Sequence, residues 1–283
     1  GHFHSVIPSL KEINERHPKI FSKNLIIKDI DFNHEQQIEK IKKFSQMQEN
    51  EPFYSPNRKI RFNIENNSFS YDDAPILHFM MRLLKPHNII EIGCGNSSAC
   101  MLDINDRYLN NSVEFTFIDV DCRALRRNLL DDDYEKISII EKPIQDIDLG
   151  IFKKLKSNDL LFIDSSHVIK AGSDLETIFF EILPALEPGV CIHFHDVRFP
   201  FQYPENMLIN KIFWNEAYLL RAFLQNNNSF KIIFWLNYLI NIHMIEDENL
   251  FKFLPLPEWS RRFNSNRKDY IEAGGSIYIQ KTK

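Results

Sequence analysis

The stretch that most constrains the fold is NIIEIGCGNSSA, residues 88–99. Its short apolar run ends at Gly93-Cys94-Gly95, and the polar residues 96–98 that follow are expected to cap a helix. An apolar run bounded by turn residues suits a strand buried on both faces of a parallel sheet. Two glycines let the backbone turn sharply and approach a ligand, and the next helix presents free N–H groups. The stretch therefore predicts a nucleotide-type cofactor loop at the first strand of a doubly wound α/β sheet.

Composition narrows the class of protein. The formal net charge of −5 gives no sign of binding to nucleic acid or to an anionic membrane. The four cysteines lack C-x-x-C spacing, which favours reduced thiols in a cytosolic protein. We find no signal peptide and no apolar run near the roughly 18 residues of a membrane span. We therefore expect a cytoplasmic protein without a membrane span, and the sequence leaves the oligomeric state open, a homo-oligomer included.

The chain divides into an N-terminal part and a main domain. Residues 1–70 are polar and weakly periodic, and we expect them to form an N-terminal helical extension or lid, with helices over 10–21 and 34–47. Residues 71–283 predict the main α/β domain. Within it, residues 237–273 carry no strong pattern and predict a long surface insertion.

Helix and strand patterns alternate through the main domain. Such alternation favours a parallel sheet with right-handed crossovers. Asp72 or Asp73 is expected to cap the first of these helices, and Asp73 is also a candidate for cofactor contact. After the first strand, strands are predicted at 113–118, 137–140, 160–163, 190–194, 230–235 and 276–280. Helices are predicted at 74–84, 97–105, 123–130, 149–155, 173–186 and 213–224.

Acidic residues follow the second and third strands. Ligands of doubly wound sheets bind beyond the carboxyl ends of the strands. Asp119 ends the second strand about 25 positions after the glycine loop, where a carboxylate can accept both hydroxyls of a ribose. Asp146, beyond the third strand, suits an adenine amino group. An ordinary surface-turn aspartate is the alternative at both positions.

The tips of the fourth and fifth strands carry a second group. Asp164 ends the fourth strand and Asp196 the fifth, and these adjacent carboxylates need neutralising. A divalent cation held by Asp164, His195 and Asp196 would do so, and a histidine ligand favours manganese, iron or zinc over magnesium. His167 is placed to take a proton from a substrate hydroxyl, because an imidazole pKa near roughly 6.5 suits a general base.

The helix after the fifth strand opens with residues that could close over a substrate, or simply pack as an amphipathic helix edge. They are Trp214, Asn215, Glu216 and Tyr218.

The loop favours one cofactor class. The dinucleotide fingerprint G-x-G-x-x-G has Ser98 in place of its third glycine, which weakens a nicotinamide interpretation. Glu91 can neutralise the cationic amino group of S-adenosylmethionine, directly or through water. We favour S-adenosylmethionine, while a nicotinamide-dependent oxidoreductase and a non-catalytic binding protein remain as alternatives.

Four motifs carry a resemblance to class I S-adenosylmethionine-dependent methyltransferases, and more narrowly to a bacterial group of them. They are EIGCGNSS (91–98), FIDSSHV (162–168), IHFHDV (192–197) and WNEAYLLRAFL (214–224). The resemblance implies a mainly parallel, seven-stranded Rossmann-like sheet whose last strand runs antiparallel. It also implies cofactor contacts at Glu91, Gly93, Gly95, Asp119 and Asp146. The loop itself adds Cys94 and Ser97 as candidates, and Asp73 is the separate candidate at the start of the first helix.

The chain is similar, more distantly, to metal-dependent sugar O-methyltransferases that act on macrolides. In that family an aspartate and a histidine three residues apart supply a metal ligand and the base, which matches Asp164 and His167. The second metal pair there is Glu-Asp, whereas this chain has His195-Asp196. The resemblance implies O-methylation of a glycan or a glycosylated small molecule, with magnesium or manganese as the divalent metal.

Overall fold

A seven-stranded sheet forms the centre of the computed structural model, which describes residues 4–21, 27–47, 60–66, 68–69, 72–243 and 274–283. The strands are β1 (Asn88–Ile92), β2 (Glu114–Asp119), β3 (Ile137–Glu141), β4 (Leu160–Ile163), β5 (Cys191–Phe194), β6 (Phe230–Trp235) and β7 (Ile277–Lys281). Their order is β3-β2-β1-β4-β5-β7-β6. Strand β7 runs antiparallel to both β5 and β6, and the pairs among β1 to β5 are parallel. The predicted doubly wound sheet with an antiparallel last strand is confirmed.

Helices cover both faces of this sheet, as parallel strands require. The α-helices are α1 (Leu10–Glu15), α2 (His17–Ile20), α3 (His34–Gln46), α4 (Ala74–Leu84), α5 (Asn96–Tyr108), α6 (Arg123–Arg126), α7 (Asp174–Thr177), α8 (Leu183–Ala185), α9 (Glu205–Ile209), α10 (Glu216–Leu224) and α11 (Leu236–His243). Short 3₁₀ helices lie at Asp131–Glu135, Ile144–Asp146 and Leu149–Lys154, and a π-helical turn, Ile178–Ile182, joins α7 to α8. None of the helices in this described part of the chain is both long enough and apolar enough to span a bilayer.

The helix termini differ from the sequence-based expectation. Residues 96–98 do not cap α5 from outside, because the helix begins at Asn96 and Gly95 is its N-cap. Ser97 and Ser98 lie inside the helix, where their hydroxyls donate to Glu91. The helix predicted over 123–130 is a single turn, α6, and α10 begins at Glu216, three residues later than predicted.

The aspartates before α4 do not cap it either. Asp73 occupies the N-cap position, but its side chain makes no capping hydrogen bond. Asp72 accepts a hydrogen bond from the backbone N–H of Gly274 at 2.7 Å. The pair therefore ties the start of α4 to the turn before β7.

The predicted surface insertion begins with a buried helix. Leu236, Leu239 and Ile240 of α11 are fully buried in the core. Their i, i+3, i+4 spacing is that of a helix face packed against a core. The rest of the predicted insertion, residues 244–273, lies outside the described residues.

The N-terminal part is fastened to the main domain through Arg61. Its guanidinium is buried and binds Asp133 through two nitrogens, while Nη1 lies 2.8 Å from Asp103 and 2.7 Å from Asp106. Asp103 and Asp106 belong to α5, which starts at the glycine loop. The segment 60–69, of which residue 67 is not described, is therefore held against the helix that carries the predicted cofactor loop.

Candidate active site

The glycine loop contacts the ends of β2 and β4, the two strands that flank β1. The backbone N–H of Cys94 donates to Asp119 at the end of β2, at 2.9 Å. Gly93 has a φ of +82°, and a Cβ on it would fall 1.7 Å from the carbonyl oxygen of Asp164 at the end of β4. Only glycine fits both the conformation and the space. The predicted cofactor loop and the predicted catalytic strand tip are therefore in direct backbone contact.

Glu91 lies beneath this loop. Its side chain is fully buried, and its carboxyl accepts hydrogen bonds from the hydroxyls of Ser97, at 2.5 Å, and Ser98. Burial raises the pKa of Glu91 to about 8, although the two serine hydroxyls oppose that shift. Glu91 and Ser97, predicted as cofactor contacts, bond to each other in this arrangement, and Glu91 is protonated at neutral pH.

The other predicted cofactor residues surround the crevice. Asp119 is half-buried, and its second oxygen accepts the N–H of Asp121 at 3.1 Å. Asp146 is exposed in the short helix that follows β3. Asp73 is buried, its pKa is raised by burial to about 6, and its Oδ1 has no hydrogen-bond partner among the described residues. The assignment of these residues to a cofactor remains a prediction.

His167 stands between three carboxylates. Its Nε2 lies 3.3 Å from Asp164 Oδ1 and 3.9 Å from Asp196 Oδ2. Its Nδ1 lies 2.7 Å from Oε2 of Glu216, whose side chain is only 1% exposed. The ring also packs against Trp214, with 4.2 Å between ring centroids. The structure thus brings together Asp164, His167 and Asp196 as the sequence predicted, and adds Glu216.

The start of α10 holds the loop that carries His167. The carbonyl of His167 accepts the backbone N–H groups of Asn215 and Glu216, at 3.0 and 3.2 Å. The side chain of Asn215 brackets Ile169, accepting its N–H at 2.7 Å and donating to its carbonyl at 3.2 Å. These contacts stabilise His167 in a left-handed backbone conformation, with a φ of +59°.

Two of the four residues predicted to close over a substrate therefore face the catalytic loop. Asn215 and Glu216 bind that loop through backbone and side chain. Trp214 is half-buried against His167, and Tyr218 is 46% exposed with its ring at 5.6 Å from that of Tyr203. A substrate contact by Trp214 or Tyr218 remains a prediction.

The carboxylates control the charge of the imidazole. Burial by itself would lower the pKa of His167, but the hydrogen bonds and charges of Asp164 and Glu216 outweigh it and raise that pKa to about 10. Burial also disfavours ionisation of Asp164, yet His195 and His167 outweigh this effect and hold its pKa below the usual value. His167 is therefore an imidazolium at neutral pH in this arrangement.

The three predicted metal ligands do not converge on one point. Among the described residues, no group of three or more His, Cys, Asp or Glu side chains is placed to hold a metal ion. Asp164 and Asp196 converge on Nε2 of His167, and Asp196 also pairs with Arg198 at 3.4 Å. His195 Nε2 lies 3.3 Å from the carbonyl of Ser68. Asp164, His195 and Asp196 are therefore not arranged to bind one metal ion together. Binding of magnesium or manganese remains a prediction.

Comparison with known proteins assigns part of the chain to a described domain family. The family model described as a methyltransferase domain matches residues 90–197, which run from β1 to just beyond β5. An uncharacterized protein of Archaeoglobus fulgidus is 32% identical over 165 residues, which cover 56% of this chain and 73% of that protein. The fold and the glycine loop thus define a Rossmann-like methyltransferase domain. The match supports the predicted S-adenosylmethionine-dependent methyltransferase and disfavours the nicotinamide-dependent alternative.

Solved structures with a similar chain course include the S-adenosylhomocysteine-bound methyltransferase PaMTH1 of Podospora anserina, with a TM-score of 0.44, 15% identity and 99% of both chains covered. The O-methyltransferase TomG of Streptomyces achromogenes has a TM-score of 0.43 and 11% identity, with 96% of both chains covered. A CmcI structure titled as holding magnesium and S-adenosylmethionine has a TM-score of 0.40 and 16% identity, covering 75% of this chain and 72% of the other. Because these TM-scores are below 0.5, the likeness adds nothing to the assignment of the site.

Proposed function

We propose that the chain transfers a methyl group to a hydroxyl oxygen of a small acceptor, with His167 as the general base. The observation that carries this proposal is the position of His167, whose Nε2 faces the strand tips of Asp164 and Asp196. The glycine loop touches Asp164 from the other side. Cofactor loop and base therefore border the same crevice, as an in-line transfer requires.

The crevice fits S-adenosylmethionine, which carries positive charge and no phosphate. Gly93, Cys94 and Gly95 would approach the cofactor with backbone atoms, and Asp119 would bind its ribose. The buried, unpaired oxygen of Asp73 suits a cationic ammonium group. When bound, S-adenosylmethionine supplies an electrophilic methyl group on a good leaving group.

The chain's own residues align the acceptor and remove its proton. The acceptor hydroxyl donates a hydrogen bond to Nε2 of His167, and the proton moves to that nitrogen as the oxygen forms its bond to the methyl carbon. The products are a methyl ether and S-adenosylhomocysteine, with the proton on His167. Trp214, packed on the imidazole, limits its movement.

The raised pKa of His167 determines when this base is available. An imidazolium cannot accept a proton, so His167 must lose its proton before it acts as a base. A second positive charge brought into the crevice lowers the pKa of His167, because the two cations share the same carboxylates. Cofactor binding is therefore expected to lower the pH above which His167 is available as a base.

For the acceptor, we propose a hydroxyl of a sugar, either in a glycan or in a glycosylated small molecule. Trp214 packs on the base, and Tyr218 lies further along, with the buried ring of Tyr203 between them at centroid separations of 6.0 and 5.6 Å. The partly exposed rings of Trp214 and Tyr218 offer apolar faces with polar edges, which suit a pyranose. The sugar class rests on the similarity to macrolide sugar O-methyltransferases.

Two experiments test the proposal. Isothermal titration of S-adenosylmethionine should show binding that Asp119→Ala weakens by more than about tenfold, because the carboxylate proposed to bind the ribose hydroxyls is lost. Mass spectrometry of reactions with glycosides bearing free hydroxyls should show a methyl ether with the wild type. His167→Gln should lose more than about 100-fold in turnover while binding the cofactor within about threefold of wild type. An equal loss of cofactor binding and turnover in His167→Gln would contradict the role of base.

A further inference from the structure

Glu216 was predicted from the sequence to contact the substrate. In the structure its carboxylate instead pairs with Nδ1 of His167, the ring nitrogen that points away from Asp164 and Asp196. Its Oε2 lies 2.7 Å from His167 Nδ1, and its Oε1 is buried without a hydrogen-bond partner among the described residues. Burial raises the pKa of Glu216, and His167 opposes that shift by hydrogen bond and charge. A buried carboxylate with one unpaired oxygen is costly, and His167 is the side chain it pairs with.

An ionised carboxylate only accepts hydrogen bonds, so its partner nitrogen must carry the hydrogen. With Glu216 ionised, its Oε2 at 2.7 Å from Nδ1 holds a proton there more closely than Asp164 Oδ1, at 3.3 Å, holds one on Nε2. When the imidazole is neutral, Nε2 is then the nitrogen with the free lone pair. That nitrogen faces the crevice beside Asp164 and Asp196.

We propose that Glu216 is a positioning residue that fixes the tautomer and the ring orientation of His167, leaving Nε2 open to the acceptor. This inference rests on the proposed function, since it assigns a role relative to the base. Glu216 does not touch the reacting atoms and acts only through the imidazole. The same division of labour, with a buried carboxylate on one imidazole nitrogen and the reacting proton on the other, underlies the serine hydrolase triads.

The geometry allows this role to be separated from a purely structural one. The backbone N–H of Glu216 also donates to the carbonyl of His167, and any side chain at this position keeps that bond. Glu216→Gln further keeps the side-chain volume. It can present either an oxygen or an NH₂ group to Nδ1, so it no longer forces a proton onto Nδ1. The variant therefore changes the tautomer preference while leaving the loop anchored.

The first readout is spectroscopic and does not depend on activity. In ¹⁵N-histidine-labelled wild type, we expect a strongly downfield proton bonded to Nδ1 of His167, which marks a short hydrogen bond to a carboxylate. His167→Gln assigns this resonance by removing it. The resonance should disappear in Glu216→Gln and persist in Asp164→Asn. A downfield proton on Nε2 instead, or one that survives in Glu216→Gln, would overturn the proposal.

The second readout is kinetic. Glu216→Gln should lower kcat by more than about 100-fold, with the KM values and the cofactor Kd within about threefold of wild type. The matched control is Asp174→Asn, because Asp174 accepts hydrogen bonds from the backbone N–H and the hydroxyl of Ser166, in the same loop as His167. We expect Asp174→Asn to keep kcat within about threefold of wild type.

The two proposals fail in different ways. A wild type that binds S-adenosylmethionine but methylates no hydroxyl would contradict the proposed function, while the resonance on Nδ1 would still test the pairing. Full turnover in Glu216→Gln would contradict the positioning role alone. If Glu216→Gln does not fold, the nitrogen that carries the downfield proton in wild type decides the question.

Discussion

The carbonyl oxygen of Asp164 occupies the place where a side chain on Gly93 would begin. An ideal Cβ at Gly93 would lie 1.7 Å from that oxygen, which no side chain tolerates. The contact joins the turn after β1 to the tip of β4. It fixes the distance between the loop that would hold the cofactor and the residue that pairs with His167.

A methyl group at Gly93 should therefore lower both the stability of the fold and its affinity for S-adenosylmethionine. Gly93→Ala adds a backbone clash to the strain of a positive φ, so the free energy of unfolding should fall by more than about 3 kcal/mol. Affinity for S-adenosylmethionine should fall by more than about tenfold, because the loop must move. Urea denaturation and isothermal titration measure the two effects.

Gly172→Ala is the matched control, since Gly172 has a φ of +73° with no atom within 4 Å of an added Cβ. It should cost only the conformational strain, about 1–2 kcal/mol. Equal losses in the two variants would show that the contact with Asp164 has no energetic weight.

The stability of the protein should fall as the pH rises above neutrality. The pKa of folded His167 is about 10, against roughly 6.5 in an unfolded chain. Its stabilising contribution is therefore complete below the unfolded value and is lost as the pH rises through the folded value. Urea unfolding from neutral to alkaline pH should show a decrease of a few kcal/mol in the free energy of unfolding.

His167→Gln should make that decrease shallower without abolishing it. His195, with a pKa of about 9, and Glu91, with a pKa of about 8, favour their protonated forms in the folded state and contribute in the same direction. Identical pH dependence in wild type and His167→Gln would contradict the pairing of His167 with its carboxylates.

Metal chelation tests whether methyl transfer needs the divalent metal that the sequence predicts. Asp164 and Asp196 approach Nε2 of His167, which already supplies positive charge between them. We therefore expect EDTA to change the rate of methyl transfer by less than about twofold, because His167 or, once it is neutral, the cationic cofactor supplies the positive charge near these carboxylates. A tenfold loss that manganese or magnesium restores would instead support the predicted metal site.

Removing the charge of Arg61 should be strongly destabilising. Arg61→Met would leave the buried carboxylates of Asp103 and Asp133 without their cation, at a cost of about 3–5 kcal/mol. Chemical denaturation measures this change. Arg123→Met is the surface counterpart, since Arg123 is 82% exposed and pairs with Asp121, and it should leave the free energy of unfolding nearly unchanged. A small effect at Arg61 would mean that the three aspartates find other partners.

Much of the fold could be predicted because the signals were local. The apolar run ending at Gly93 identified β1, and alternating patterns located six further strands within a few residues. The antiparallel course of β7 came only from the resemblance, since local periodicity does not encode strand direction. The short length of α6 was missed, because residues 127–130 suit a helix by residue type although the helix ends at Arg126.

The site was predicted less evenly, because its decisive contacts are distant in sequence. Asp164 and His167 are three residues apart, and a shared crevice followed from strand topology. Glu216 lies 49 residues after His167, and sequence spacing gave no sign that it faces the imidazole. The W-N-E motif marked the residue but not its orientation, which depends on where α10 begins. By contrast, the apolar spacing of Leu236 and Leu239 could have revealed α11, which was predicted as the start of an insertion.

The contacts of Arg61 show that the methyltransferase fold extends beyond the residues that match the family. Its partners Asp103, Asp106 and Asp133 all lie within the residues that match the methyltransferase family, whereas Arg61 lies before them. A protein truncated to the matched region would keep these three aspartates without the guanidinium of Arg61. It would also lose the carbonyl of Ser68, which lies against His195. A methyltransferase domain transferred to another protein therefore has to include the segment that carries Arg61 and Ser68.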